Sequence, residues 1–98
     1  MSERNVTRSE QIRKGNELYN ALKEKWSFQR LKKVSLLFSS ANYQDGLFRL
    51  ADFLTYDKKM PLLALSYYKQ INNSKAKERI REINQRMFSA LKFLLKQK

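Results

Sequence analysis

The side chains that most often perform catalysis are scarce in this chain. Its 98 residues include no His and no Cys, so it lacks the base of a Ser–His or Cys–His site and the imidazole and thiolate ligands of zinc. Its acidic residues occur at helix-surface spacings, as Glu78 and Glu82 do, and no glycine-rich phosphate loop or nucleophile motif accompanies them. We therefore predict a protein that is not an enzyme and that uses no cofactor and no metal.

Basic side chains are the one chemical group in clear excess. The chain has 21 Lys and Arg against 9 Asp and Glu, a net charge of +12. The two ends are basic: residues 1–33 carry nine basic and four acidic side chains, residues 75–98 carry eight and two, and residues 34–74 are nearly neutral. Basic ends favour acidic partners, although a solvated basic surface has the same composition.

The chain has neither a predicted membrane span nor a predicted signal peptide. No stretch approaches the roughly 20 apolar residues that a bilayer span needs. The first 30 residues carry charges throughout and lack the apolar core of a signal sequence. We expect a cytoplasmic protein without a membrane partner.

The apolar residues recur every three or four positions, which is the helical period, and only two Gly and one Pro interrupt them. The sequence predicts five helices, at about residues 8–25, 27–41, 46–56, 61–71 and 75–96. Thr7 and Glu10 form a capping box before the first helix, Asp45 is a candidate N-cap of the third, and Pro61 suits the first turn of the fourth.

The fifth predicted helix has a long apolar stripe. Its members recur at spacings of three and four residues and are Ala76, Ile80, Ile83, Met87, Leu91 and Leu94. We expect this stripe, Met87 and Leu91 included, to cover the apolar surface that the fourth helix leaves open.

Two segments resemble the helix pair of a tetratricopeptide repeat (TPR). In the first segment, Lys14–Tyr19 is similar to the first-helix signature of the family, in which a small residue lets the paired helix approach closely. A glycine within a helix costs about 1 kcal/mol relative to alanine, so Gly15 itself predicts a closely crossing neighbour. The second helix of this pair has the family's small, aromatic and small positions at Val34, Phe38 and Ala41.

The second segment resembles the repeat again, and the resemblance covers about Arg8 to Ile71. The first-helix pattern appears at Leu50, Ala51 and Leu54, and the second-helix pattern at Ala64, Tyr68 and Ile71. The resemblance implies an all-α fold of five antiparallel helices in one domain, residues 1–98, with helix pairs at 8–41 and 45–71 and a capping helix at 75–97. A generic helical bundle packed by the same small and aromatic residues is the alternative.

The resemblance also implies a binding groove on the concave face of the first and third helices. That face would present Asn16, Tyr19, Phe48, Asp52 and Tyr56. The function implied is that of an adaptor or scaffold domain that binds a peptide or helix of another protein, with acidic partners favoured. For each aromatic residue, burial in the core is the competing interpretation.

The basic fifth helix offers a second hypothesis, which is nucleic-acid binding or contact with a different partner. The residues concerned are Lys75, Arg79, Arg81, Arg86, Phe88, Lys92 and Phe93. The basic residues occupy two flanks of the helix rather than one ridge, and no zinc-finger, RRM or homeodomain pattern is present. The sequence gives no oligomeric state.

Overall fold

A computed structural model describes residues 7–96. It contains five α-helices, which are α1 (Arg8–Glu24), α2 (Phe28–Ser40), α3 (Gln44–Asp52), α4 (Pro61–Tyr68) and α5 (Ser74–Lys96). A π-helical segment, Phe53–Asp57, extends α3. No strand occurs between residues 7 and 96, so the predicted all-α class is confirmed. The predicted end of the capping helix, residue 97, lies outside the described residues.

Side-chain caps set the starts of three helices. The Thr7 hydroxyl accepts a hydrogen bond from the Glu10 amide at 3.1 Å, which confirms the predicted N-cap of α1. Ser27 caps α2 in the same way through the Arg30 amide. The Asn73 side chain accepts from the Ala76 amide and caps α5. These caps explain why the chain leaves the helical conformation between elements that are all rich in helix-forming residues.

Two predicted boundaries are wrong. Asp45 does not cap α3, because the helix already begins at Gln44 and Asp45 lies in its first turn. A carboxylate in the first turn still interacts favourably with the helix dipole. Helix α4 ends at Tyr68 rather than Ile71. The amides of Gln70 and Ile71 bond to carbonyls three residues back, and this tighter turn brings the Ile71 side chain into the core.

The core forms where each helix packs on the next one along the chain, and α1 also contacts α3. The ring of Phe38 on α2 is one of its fully buried side chains. Gly15 on α1 and Gly46 on α3 lie against this ring, so close that an added Cβ at Gly15 would stand 2.5 Å from a ring carbon. The prediction that Gly15 marks a close helix approach is confirmed.

Helix α5 packs on the rest of the fold only through its first half. Ala76 and Ile83 are buried and Ile80 is half-buried, whereas every residue from Asn84 to Lys96 is exposed. The prediction that Met87 and Leu91 cover α4 is therefore wrong. The reason is length: at about 1.5 Å per residue α4 measures about 12 Å and α5 about 35 Å, so α4 ends long before α5 does.

Candidate binding surfaces

The residues predicted to line the groove lie in two clusters, one around Arg49 and one around Asp52. The first cluster surrounds Arg49, whose guanidinium donates to the Asn16 side-chain oxygen and to the Tyr43 hydroxyl, both at 3.2 Å. The Tyr19 hydroxyl donates to the Arg49 carbonyl at 3.2 Å, and its buried ring packs edge-on against Phe53. Asn16 and Tyr19 are thus brought together, with Tyr19 serving the core.

The second cluster surrounds Asp52, which links three helices. Its carboxylate accepts hydrogen bonds from the Arg79 guanidinium of α5, at 3.1 and 3.4 Å, and from the Tyr68 hydroxyl of α4. Thr55, also buried, donates to the Ala51 carbonyl and lies 3.3 Å from the Tyr68 hydroxyl oxygen. A carboxylate that holds a guanidinium and a hydroxyl in this way fixes the position of α5 on the fold.

Arg79 also occupies the space between the two remaining predicted groove residues. Its guanidinium lies 5.4 Å from the centre of the Phe48 ring and 5.7 Å from that of the Tyr56 ring. Phe48 is half-buried and packs on Tyr68, whereas Tyr56 is exposed. The predicted nucleic-acid contact Arg79 is therefore committed to Asp52 and to these rings, which is a correction to the sequence interpretation.

An open cleft of about 320 Å³ lies beside the Arg49 and Asp52 clusters. Its charged lining consists of Lys23, Arg49, Asp52 and Asp57, two basic and two acidic side chains. No buried side-chain nitrogen or oxygen within residues 7–96 lacks a hydrogen-bond partner. The charges that line the cleft are therefore balanced and give it no preference for a ligand of either sign.

Burial sets the ionisation of the two tyrosines that anchor these clusters. Desolvation raises the pKa of Tyr68 well above its ordinary value of 10.0, and the hydrogen bond to Asp52 raises it further. Desolvation likewise raises the pKa of Tyr19. The hydrogen bond to Asp52 raises the pKa of Arg79. All three groups stay protonated at neutral pH.

These tyrosines should make the fold sensitive to alkali. A raised folded-state pKa gives stability that is complete below pH 10.0, where the unfolded tyrosine ionises, and that is lost as the pH rises further. We expect Tyr68 to lower the free energy of unfolding above that pH by about 1.4 kcal/mol per pH unit until its own folded-state pKa is reached, and Tyr19 to add to this decline. Urea titrations of wild type and Tyr68→Phe across this range should show a shallower decline for the variant. Equal slopes would contradict a role for the Tyr68 proton.

A separate surface lies on the second half of α5. We call residues 84–96 the α5 tail, and its apolar face consists of Met87, Phe88, Leu91, Leu94 and Leu95. These five side chains are between 41% and 63% exposed. An open hollow of about 520 Å³ runs along the helix past Ile80, Asn84 and Phe88. The tail therefore exposes a contiguous apolar strip that the rest of the described chain does not cover.

The basic residues of α5 lie on both sides of this strip. Helical spacing puts Lys75 and Arg86 on one flank and Arg81 and Lys92 on the other, all of them exposed. The Lys92 ammonium lies 5.4 Å from the centre of the Phe88 ring. Phe93 is also exposed, on the side of the helix opposite Leu91. The predicted residues of α5 thus form two basic margins rather than one cationic track.

Sequence reasoning missed Arg49, which organises half of the groove. Its signal was weak, because an arginine between Phe48 and Leu50 resembles any solvent-facing position of an amphipathic helix. Only the fold shows that α1 places the Asn16 side chain within hydrogen-bond distance of the Arg49 guanidinium.

Residues 7–96 contain neither a candidate metal site nor a candidate membrane span. No group of three or more acidic side chains there is placed to hold a metal ion. None of the helices in this part of the chain has the length and apolar composition to cross a bilayer. It remains a prediction from the sequence that the protein is not an enzyme and that it uses no cofactor.

Comparisons with protein-family models, with curated proteins and with solved structures found no match to the chain.

Proposed function

We propose that this protein is a non-enzymatic interaction domain, an adaptor or scaffold, that binds a helix or peptide of a partner protein. The observation that carries the proposal is the exposed apolar face of the α5 tail. Exposed contiguous apolar patches on monomers seldom exceed about 300–600 Å², and the largest ones are often functional. The tail has five large apolar side chains exposed along one helix, and a helix or extended peptide matches the shape of such a strip.

The arrangement of the helices supports the TPR-like resemblance behind this function. Each helix packs on its successor, and α1 contacts α3, as is expected when two antiparallel helix pairs stack. Gly15 lies against Phe38, at positions where the resemblance expects a small residue and an aromatic one. In such a stack α5 would be the capping helix, and its second half would extend beyond the fold.

The groove is the weaker of the two binding surfaces. Asp52 and Arg49 are already engaged by side chains of this chain, and Phe48 supports Tyr68. Tyr56 remains as an exposed aromatic contact at its edge. We therefore assign the main partner contact to the α5 tail and a secondary one to Tyr56.

Nucleic-acid binding is less well supported. Phosphate contacts need basic side chains that follow one backbone, and the basic residues of α5 are divided between two flanks. Arg79, which would have joined Lys75 and Arg86 on one flank, is held by Asp52.

The test is affinity capture with the full chain and a double variant, Met87→Gln with Leu91→Gln. Both residues are exposed, so the fold should be unchanged, whereas the lost apolar contact should cost about 2 kcal/mol, or roughly a 30-fold loss of affinity. The matched control is Leu36→Gln with Leu62→Gln, since these leucines are similarly exposed on α2 and α4.

We expect partner proteins recovered with wild type and with the control to be missing from the α5 variant, with equal circular dichroism for all three. Equal recovery with the α5 variant would contradict the proposed site. Recovery of nucleic acid alone, sensitive to nuclease and steeply to salt, would support the alternative function instead.

A further inference from the structure

We infer that the α5 tail binds an acidic amphipathic helix of a partner protein, which packs along the apolar face where α4 ends. This inference rests on the proposed interaction function and names the occupant of its site. Three features of the structure support it: the direction of the apolar stripe, the length of the tail and the charge of its margins.

The apolar stripe of α5 continues in one direction from the fold into the tail. Ala76, Ile80 and Ile83 pack on the fold, and Met87, Leu91 and Leu94 follow at spacings of three and four residues. Residues at these spacings share one side of a helix, so the exposed face points to the same side as the packed one. A second helix placed end-on to α4 would therefore meet the stripe as α4 does.

The tail has the length of a helix–helix contact. Residues 84–96 span about 20 Å at 1.5 Å per residue, nearly two heptads. Packed helices lie about 8–10 Å apart and interlock through side chains at these spacings.

The margins of the apolar face decide the charge of the partner. Between Ile83 and Lys96 the chain has three basic side chains, Arg86, Lys92 and Lys96, and no acidic one. Arg86 lies on one margin of the stripe and Lys92 on the other. Residues that flank a helix–helix seam pair with residues of opposite charge on the partner, so glutamates and aspartates at those positions complement this tail.

A second copy of this chain does not fit the charge pattern. Each copy carries a net charge of +12, and two tails packed together would set basic margins against basic margins. A lipid surface does not fit the shape, because α4 lies on the same side of α5 as the apolar face. The rest of the fold therefore stands on the side to which the apolar face points, and it prevents a flat bilayer from contacting that face along its length.

The experiment titrates the full chain against two designed helical peptides that share leucines at heptad positions a and d. One peptide has glutamate at the flanking e and g positions, and the other has glutamine there. We expect the glutamate peptide to bind with 1:1 stoichiometry and at least about tenfold more tightly at about 0.1 M salt, where the screening length is still about 10 Å.

Two variants of the chain identify the site. Arg86→Glu with Lys92→Glu should abolish or reverse the preference for glutamate, whereas Met87→Gln with Leu91→Gln should weaken both peptides alike. Equal affinity of wild type for the two peptides would overturn the inference. So would dimerisation seen by sedimentation equilibrium, or binding to phosphatidylserine vesicles without binding to the acidic peptide.

The proposed function and the acidic-helix inference can fail independently of each other. If affinity capture depends on Met87 and Leu91 while the glutamate peptide fails to bind, the domain still binds a partner through the tail, and the acidic helix is the part that is wrong. If capture does not depend on these residues, the proposed function fails at this site even when the peptide binds.

Discussion

A chain cut after Ser74 should lose its cooperative unfolding transition, whereas a chain cut after Gln85 should retain it. The first cut removes Ala76, Ile83 and half-buried Ile80, and it uncovers the side of α4 on which they pack. Each buried isoleucine contributes about 1.5–3 kcal/mol, against a total of about 5–15 kcal/mol for a small domain. The first cut also removes Arg79 and with it the ion pair that joins α5 to Asp52 of α3.

Among the described residues, the second cut removes only exposed ones, residues 86–96, so its effect on the fold should be small. We expect residues 1–85 to unfold cooperatively within about 4 °C of the full chain, a shift that corresponds to about 1 kcal/mol. Thermal unfolding followed by circular dichroism compares the three chains directly. A cooperative transition for residues 1–74 would show that α5 contributes nothing essential to the fold. A molten 1–85 fragment would show that the tail packs on the fold after all.

The local signals in the sequence were enough to find the helices. Thr7 with Glu10 and Pro61 mark helix starts because each meets a definite need of a first turn, and such needs involve only neighbouring residues. Gly15 predicted a close crossing for the same reason, since a glycine that costs helix stability needs a compensating contact. The end of α4 at Tyr68 was missed because helix-forming residues continue to Gln70.

Local signals could not predict which residues of the α5 stripe are buried. An amphipathic pattern states that a helix has an apolar side but not what covers it, and Ile83 and Met87 are equivalent members of the same pattern. What separates them is the length of α4, which follows from tertiary packing. The sequence therefore predicted the apolar stripe itself. The prediction that the fold covers this stripe is right only for its members up to Ile83.

The polar groove shows the same limit. Asp52 and Arg79 are 27 residues apart, and their ion pair depends on where α5 crosses α3. The sequence predicts Asp52, Phe48 and Tyr56 on one face, because that inference needs only helical spacing. The sequence could not show that Arg79 already fills the space between them.

Replacing Gly15 with alanine should destabilise the protein although alanine is the better helix former. The new methyl group would stand 2.5 Å from a ring carbon of Phe38, and the ring has little room to retreat because its opposite edge lies against Gly46 and Tyr43. Overpacking of this kind costs about 1–3 kcal/mol, which exceeds the gain of about 1 kcal/mol in helix propensity over most of that range. We expect a net loss that lowers the melting temperature by several degrees.

A double-mutant cycle tests whether Phe38 is the cause. Phe38→Leu alone leaves a cavity and should be destabilising, but combined with Gly15→Ala it provides room for the methyl group. The double variant should therefore be more stable than the sum of the two single changes predicts, with a coupling of about 0.5 kcal/mol or more. Asn20→Ala, at an exposed position of the same helix, is the matched control and should be neutral or stabilising. If Gly15→Ala stabilises the protein as the control does, the Phe38 ring does not limit the spacing of α1 and α2. The proposed TPR-like arrangement would then lose one of the two observations offered in its favour.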